Sequence, residues 1–346
     1  MAEVSKTKEN APGKQDSALV VAAAPHLPSR ALSTLRMMLD VLIAAVPLFI
    51  AAGVVFRWYA LKQIGICVVS CLAAELIFTA LRARRATVGD LSAVVTGMIL
   101  AMSLPWSAPW YVGMIGSFVA IGIGKAVFGG IGQNMFNPAM VGRAFVMIAF
   151  PAALGAAGYV QPGHPIEVLT QATPLTALKE SISAGTAQTG ADWSMLWPLF
   201  IGYTNGSLGE TSALAALAGG LYLCIRRTAS WEIPLSMIAG AAVVGGIVNA
   251  FNPASSWTVL HHLLGGALLF GAFFIATEPV TSPLTPKGKF MFGLGIGGLV
   301  MLMRLLSGYP EGVMFSVLIM NSLSPLLNRW TIPRPVGGPT PAPKAT

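Results

Sequence analysis

The chain has 346 residues, of which 55% are hydrophobic and only 10% are charged, and its formal net charge at pH 7 is +8. Soluble domains usually carry about 25% charged residues, so this composition excludes an ordinary soluble enzyme and indicates an integral membrane protein. The positive charge does not indicate a nucleic-acid partner, because the Lys and Arg residues stand mostly at the ends of apolar runs, as topology signals do.

The chain begins with a polar segment that is rich in alanine and proline. Residues 1–35 contain no short apolar core followed by a cleavage site, so we expect a cytoplasmic N-terminal tail and no signal peptide. Apolar runs of the length that a membrane span needs come next. They are predicted near residues 37–56, 63–82, 90–105, 109–128, 138–156, 211–226, 231–250, 259–277, 288–307 and 311–328. The sequence therefore predicts an all-α integral membrane protein with about ten transmembrane helices.

The basic residues also predict the orientation of the chain. With the N-terminus in the cytoplasm, most of the 21 Lys and Arg residues fall on the cytoplasmic side, as the positive-inside rule requires. Residues 157–210 then form a loop on the outer face, and residues 331–346 form a cytoplasmic C-terminal tail. Both termini are predicted to be cytoplasmic.

The two halves of the chain resemble each other in outline. The sequence "GIGK" (122–125) precedes "NP" in the half 36–156, and "GIGG" (295–298) precedes "YP" in the half 211–330. An odd number of spans in each half would invert one half relative to the other, as in many transporters. We therefore predict an inverted repeat of two halves with about five helices each.

A few ionisable residues lie within or beside the predicted spans, where each costs several kcal/mol unless it is paired or hydrated. A functional role competes with a structural ion pair or a charged end that reaches the membrane surface. A carboxylate such as Asp90 is a candidate partner for the arginine among them. No spacing typical of metal ligands and no Ser/His/Asp arrangement is present, so no catalytic residue or metal ligand is predicted. The candidates are Asp40, Glu75, Arg143, Glu278, His261 and His262.

Two cysteines, Cys67 and Cys71, lie four residues apart and so share one face of a predicted helix. They could form half of a metal or cluster site, or they could pack as small apolar residues.

Asn134 and Asn137 flank a glycine-rich break between predicted spans. Side-chain amides both donate and accept hydrogen bonds, and glycine allows a planar ligand to approach the backbone. The pair could therefore bind a neutral heterocycle. Alternatively, Asn137 caps a helix whose first residue is Pro138.

A polar stretch, "HPIEVLTQATPLTALKE" (164–180), interrupts the apolar pattern near the middle of the chain. Thr170, Thr173 and Thr176 recur in it at every third position. On composition alone, these hydroxyls are typical of turns and helix caps.

The segment "EVLTQATPL" resembles the flavinylation motif of the family that contains the D subunit of the Rnf complex and the B subunit of the sodium-pumping NADH:quinone reductase. In that motif the last threonine carries FMN through a phosphoester bond. The resemblance implies that Thr173 is the attachment residue and that Glu167, Thr170 and Ala172 are the other motif positions. Glu167 and Gln171 depart mildly from the usual aspartate and glycine.

The resemblance extends along nearly the whole chain. It includes, in order, "PHLPSRALSTLRMMLDVLIA", "DLSAVVTGMILAMSLPWSAPW", "GGIGQNMFNPAMVGRAF", "GSLGETSALAALAGG", "ATEPVTSPLTPKGKFMFG" and "GYPEGVMFSVLIMN". It implies a membrane subunit of an ion-translocating ferredoxin:NAD oxidoreductase in the inner membrane of a bacterium, with the Rnf A, B, C, E and G subunits and a flavin transferase as partners. It also implies a non-covalent flavin, riboflavin, at Asn134 and Asn137.

Two other functions are compatible with the residues alone. A solute channel or transporter would also need broken helices, few charges and paired halves, and a membrane scaffold would merely anchor redox partners. Neither of these would carry a flavin, so the colour of the protein separates them from the electron-transfer function. The sequence does not distinguish Na⁺ from H⁺ as the translocated cation.

Overall fold

The computed structural model describes residues 33–82, 88–155, 158–160, 168–170, 174–177, 193–202, 204, 206–251, 257–307 and 311–333. Most of these residues are helical. The helices of the first part of the chain are α1 (Thr34–Ala44), α2 (Val46–Phe56), α3 (Trp58–Leu81), α4 (Ser92–Ser103), α5 (Trp110–Ile121), α6 (Pro138–Ala149) and α7 (Pro151–Gly155). Those that follow are α8 (174–177), α9 (Leu196–Ile201), α10 (Ala213–Ile225), α11 (Glu232–Phe251), α12 (Val259–Leu264), α13 (Leu268–Phe270), α14 (Pro286–Leu306) and α15 (Val313–Thr331).

The predicted helical membrane fold is confirmed. Four helices are long and apolar enough to cross a bilayer: α1 with α2 as one helix of 23 residues, α3, α11 and α14. Other apolar helices are shorter, and α4 with its 12 residues is only about 18 Å long, less than the roughly 30 Å of a hydrocarbon core. The number of spans therefore stays a prediction. Large apolar side chains such as Ile50, Val69 and Ile148 point outward, as a lipid-facing surface requires.

Local sequence signals begin several of these helices. The side chains of Ser33, Asn137, Ser212 and Thr285 each accept a hydrogen bond from a backbone N–H in the first turn of the helix that follows. These bonds satisfy donors that have no partner within the helix itself. The predicted capping of α6 by Asn137, with Pro138 as its first residue, is confirmed.

The helices pack in the same order in both halves of the chain. In the first half α3 packs against α4 and α5, and α5 packs against α6; in the second half α11 packs against α14, and α14 packs against α15. Hydrogen bonds from Thr228 to Asp40 and from the backbone N–H of Leu284 to Asn328 tie the middle of α1 to the loop after α10, and the end of α15 to the loop before α14. The inversion of the two halves remains a prediction.

Two helices are locally widened. The segments π1 (Gly122–Ala126) and π2 (Gly271–Ile275) are π-helical and continue into irregular chain. The two irregular regions meet where Asn137 Nδ2 donates to the carbonyl of Ile275. Because π-helical turns leave gaps in the regular backbone ladder, they often occur at functional sites.

One short antiparallel ribbon departs from the all-helical expectation. The strands β1 (Gly158–Val160) and β2 (Val168–Thr170) pair in the register Gly158 to Thr170. Of the predicted flavinylation motif, Thr170 ends β2. The other three motif positions, Glu167, Ala172 and Thr173, lie outside the described residues.

Candidate functional site

The larger internal site, which we call the asparagine cavity, lies where the two irregular regions meet. Its walls include Asn134, Asn137, Lys125 and Glu278, and apolar side chains complete them. It encloses about 830 Å³, part of which is open to the surroundings. A concave site with mostly apolar walls and a few convergent polar groups is typical of sites for small molecules and cofactors. The two asparagines therefore lie in one cavity with two ionisable side chains, those of Lys125 and Glu278.

The two asparagines use most of their donors within the protein. Asn134 Nδ2 donates to Glu278 Oε1 at 3.0 Å and to the carbonyl of Phe136 at 3.2 Å. Asn137 Oδ1 accepts from the backbone N–H of Met140, and its Nδ2 donates to the carbonyl of Ile275. Within the described part of the chain, no hydrogen bond uses Asn134 Oδ1. This oxygen is thus the atom of the pair that is suited to accept a hydrogen bond from a ligand.

Lys125 is the charged residue of π1 and is buried, with an exposed fraction of 4%. Its ammonium group donates to both carboxylate oxygens of Glu75 at 2.9 Å and to Ser92 Oγ at 2.7 Å. Ser92 Oγ in turn donates to Asp90 Oδ1 at 2.6 Å. An ammonium group has three N–H donors, so all of them are satisfied in this cluster.

A second site, the arginine cavity, is lined by Arg143, Glu210 and Glu311 together with apolar side chains. Its space of about 400 Å³ is partly open to the surroundings. Arg143 comes from α6, Glu210 from the turn before α10, and Glu311 from the turn before α15. Burial of its carboxyl group beside the Glu311 carboxylate raises the pKa of Glu210. Three distant segments of the chain thus bring opposite charges to one small space.

Arg304 fixes the position of Glu311, which lines the arginine cavity. It is 3% exposed, and its guanidinium donates to the carbonyl groups of His262 and Gly265 and to Glu311 Oε1 at 2.8 Å. A methyl group added at Gly266 would collide with Glu311, Arg304 and Leu175. The chain therefore passes this cluster at a position where only glycine fits.

An apolar layer lies between the two cavities. Phe274 lines the asparagine cavity, Phe270 and Met140 line the arginine cavity, and the two phenylalanine rings stack with their centroids 5.5 Å apart. All three side chains are at most 4% exposed. Apolar side chains that line the two cavities therefore pack against each other between them.

The structure corrects the proposed partner of Arg143. Asp90 accepts hydrogen bonds from the backbone N–H and the hydroxyl of Ser92, a local cap that needs no distant partner. Glu210 and Glu311 are the carboxylates that attract Arg143 electrostatically. Among the described residues, Arg143 Nη1 has no hydrogen-bond partner.

The other ionisable candidates divide between structural and cavity positions. Asp40 accepts from Thr228 at 2.9 Å and pairs with Arg226 at 3.5 Å, and Glu75 pairs with Lys125, so both belong to ion pairs. His261 Nδ1 accepts from the backbone N–H of Thr258.

The ring centroids of His262 and Trp257 lie 5.3 Å apart. Glu278 is the candidate that lines the asparagine cavity. The histidines thus occupy structural positions at α12.

Cys67 and Cys71 lie on one face of α3, as predicted, and both are fully buried. Cys71 Sγ approaches the carbonyl of Ser117 on α5 at 4.0 Å. No group of His, Cys, Asp or Glu side chains suited to a metal ion occurs in the described ranges.

Sequence reasoning overlooked three charged residues that line the cavities, Lys125, Glu210 and Glu311, and also Arg304, which binds Glu311. Lys125 lies inside the apolar run 109–128, and a charge inside such a run is itself a signal of function. Glu210 and Glu311 lie in glycine-rich turns that connect predicted spans. Their shared site becomes apparent only once the helices are assembled.

These features define a class of protein, a multi-pass helical membrane protein with two internal polar sites between its halves. The sequence matches the model of the NQR2, RnfD, RnfE family over residues 20–337. Because this match spans most of the chain, the chain belongs to that family.

Curated relatives cover nearly the full length of the chain. It is 40% identical over 322 residues to the D subunit of the Na(+)-translocating ferredoxin:NAD(+) oxidoreductase complex of Acetobacterium woodii, covering 92% of this chain and 95% of that protein. It is 40% identical over 341 residues to the D subunit of the ion-translocating oxidoreductase complex of Halorhodospira halophila, covering 91% and 94%. Identity to the D subunit of the proton-translocating ferredoxin:NAD(+) oxidoreductase complex of Clostridium ljungdahlii is 36% over 314 residues, covering 90% and 94%.

Proposed function

We propose that this chain is the membrane-embedded D subunit of an ion-translocating ferredoxin:NAD⁺ oxidoreductase complex in the inner membrane of a bacterium. The observation that carries the proposal is the similarity to relatives of this name, which extends over at least 90% of this chain in each of the three comparisons above. The other subunits of the complex are its partners. The chain takes part in electron transfer coupled to translocation of Na⁺ or H⁺ and completes no reaction alone.

We further propose that Thr173 carries FMN through a phosphoester bond on the outer face of the membrane. The motif of Glu167, Thr170, Ala172 and Thr173 supports this assignment. Leu175 supports a location beside the arginine cavity, because it is 4% exposed and contacts the cluster at Gly266. Two residues of chain reach at most about 7 Å. The attachment point of the flavin would thus lie within this reach of Leu175.

A covalent tether would keep the flavin at such a site. A flavin transferase outside the cytoplasmic membrane would attach the cofactor, and the tether would keep its effective concentration high at an exposed position. The flavin supplies the redox chemistry, while the protein contributes attachment, orientation and a local electric field.

Denaturing gel electrophoresis tests the covalent flavin directly. The full-length chain purified from its native host should fluoresce as a denatured band under ultraviolet light, and Thr173→Ala should abolish the band, because only a covalent flavin survives denaturation. Thr176→Ala, a threonine of the same segment outside the motif, is the matched control and should retain the signal. A fluorescent Thr173→Ala band would contradict the assignment. A wild-type chain without flavin would instead favour a non-redox transporter.

The asparagine cavity fits the second flavin that the family resemblance implies, riboflavin. Its walls are mostly apolar and carry a few polar groups, as is typical of sites for small molecules. Apolar side chains such as Ile99 and Phe273 can pack on the ring faces, and Asn134 Oδ1 can accept from the ring N–H group. We propose that Asn134 and Asn137 hold this flavin without a covalent bond.

The two cavities also support a path for the translocated cation. Each offers carboxylates, which are Glu278 on one side and Glu210 and Glu311 on the other. The apolar layer of Met140, Phe270 and Phe274 between them would block the ion until these side chains move. We therefore propose that electron transfer controls the opening of this layer. The relatives' names include both Na⁺ and a proton as the cation.

A further inference from the structure

Lys125 has an orientation that the ion pair alone does not explain. Lys125 lines the asparagine cavity, whereas Glu75 is not among its lining residues. The two side chains are 4% and 3% exposed, so little water screens them. The pair therefore directs its positive end toward the cavity and its negative end into the packing between α3 and α5.

Lys125 acts on the cavity through its electric field, not through a hydrogen bond to a ligand. Its three N–H donors are already used by Glu75 and Ser92. Two buried charges cost free energy that their mutual attraction often fails to offset, so an apolar pair of similar volume would be at least as stable. The cluster thus maintains a fixed positive charge at the wall of the cavity.

We propose that Lys125, held by Glu75 and Ser92, stabilises negative charge on the ligand of the asparagine cavity and so raises the reduction potential of the flavin bound there. The inference rests on the non-covalent flavin proposed above. Each electron added to a bound flavin adds one negative charge unless a proton is taken up with it. A fixed cation beside the ring favours the state with more negative charge, and Glu278 across the cavity opposes this effect when it is ionised.

The two members of the pair should then have opposite effects. Lys125→Met removes the cation and leaves Glu75, so the midpoint potential of the flavin should fall. Glu75→Gln leaves the cation without its counter-charge, so the potential should rise. A purely structural pair would predict loss of flavin or of folded protein in both variants, and no opposite shifts.

The measurement is a redox titration of the purified full-length chain with dithionite, followed by absorbance, in a Thr173→Ala background. That background leaves the dissociable flavin as the only one bound to the chain. Lys289→Met is the matched control, because Lys289 donates to Ser230 Oγ and does not line the cavity. This control should leave the potential unchanged.

The double variant Glu75→Gln/Lys125→Gln covers the case in which either single variant fails to fold. It removes both buried charges and should lower the potential below that of the Thr173→Ala parent, because only the cation of the pair lines the cavity. Unchanged potentials, or shifts of one sign in both single variants, would overturn the role of Lys125. If the Thr173→Ala chain releases no flavin on denaturation, the proposed flavin site itself is wrong. The two failures are therefore distinguishable.

Discussion

Two helix pairs that occupy comparable places in the halves are held together by different physical means. Between α3 and α5 the contacts are polar: Ser117 Oγ donates to the carbonyl of Cys67 at 3.1 Å, and Lys125 pairs with Glu75. Between α11 and α14 the backbones touch directly. A methyl group added at Gly297 would overlap the carbonyl of Met237, and one at Gly240 would lie 2.6 Å from the carbonyl of Leu294.

This difference shows two ways in which membrane helices associate. Helices in lipid gain little from burying apolar surface, so they associate through close packing of small residues or through polar contacts. The glycine pair achieves association with backbone contacts and contributes few polar groups. The π1 segment that follows α5 places Lys125, the partner of Glu75 on α3, on the wall of the asparagine cavity. We conclude that α11 and α14 associate through backbone contacts, whereas the contact of α3 with π1 places a charge on the wall of the asparagine cavity.

The largest effect on stability is expected from breaking the buried ion pair. Lys125→Met leaves the Glu75 carboxylate buried without its cation, and we expect the chain to lose about 3–5 kcal/mol of stability. Thermal unfolding of the full-length chain in detergent measures this loss. The double change Glu75→Leu/Lys125→Met replaces both charges by apolar groups and should restore stability to at least the wild-type value. A single variant as stable as wild type would mean that water reaches the pair.

An intermediate effect is expected at the glycine pair. Gly297→Ala forces α14 away from Met237, and overpacking of this kind costs about 1–3 kcal/mol. Gly298→Ala is the matched control on the same helix, because nothing in the described part of the chain lies within 4 Å of a methyl group added there. It should be neutral or stabilise the chain by up to about 1 kcal/mol, the gain of alanine over glycine in a helix. Equal unfolding temperatures for the two variants would refute the backbone contact.

Contacts between neighbours in the chain can be predicted from the sequence, whereas contacts between distant segments cannot. Asn137 and Pro138 are neighbours in the chain, so their cap could be predicted from local geometry and is confirmed. Glu75 and Lys125 are 50 positions apart. Their pairing depends on how α5 docks on α3, and no local pattern contains that information. The same reason explains why Asp90 was the wrong partner for Arg143.

The helices and the cavities also differ in whether the sequence predicts them. The apolar runs predict membrane helices because the length and composition of a span are properties of the segment itself. The arginine cavity combines Arg143, Glu210 and Glu311 from distant segments, so it requires the assembled fold. The flavinylation motif is local and could be recognised, and Thr173 remains a prediction.

The smallest effect is expected at Ser117, where the polar pair uses a neutral contact in place of a charge. Ser117→Ala removes the hydrogen bond to Cys67 on the neighbouring helix and also the bond to the carbonyl of Gly113 in its own helix. Hydrogen bonds between membrane helices contribute about 0.6 kcal/mol on average, and the bond within the helix contributes little because the carbonyl is already used. Thermal unfolding should thus show a loss of about 0.6 kcal/mol.

Ser322→Ala is the control for that measurement, because Ser322 is exposed and its Oγ donates to the carbonyl of Ile319 in its own helix. This control should leave the free energy of unfolding unchanged. If Ser117→Ala cost as much as Lys125→Met, the neutral and charged contacts of α3 and α5 would act as one cooperative network. The cavity-facing charge could then not be altered without loosening the helix pair, and the stability of the fold would be tied to the potential of the flavin.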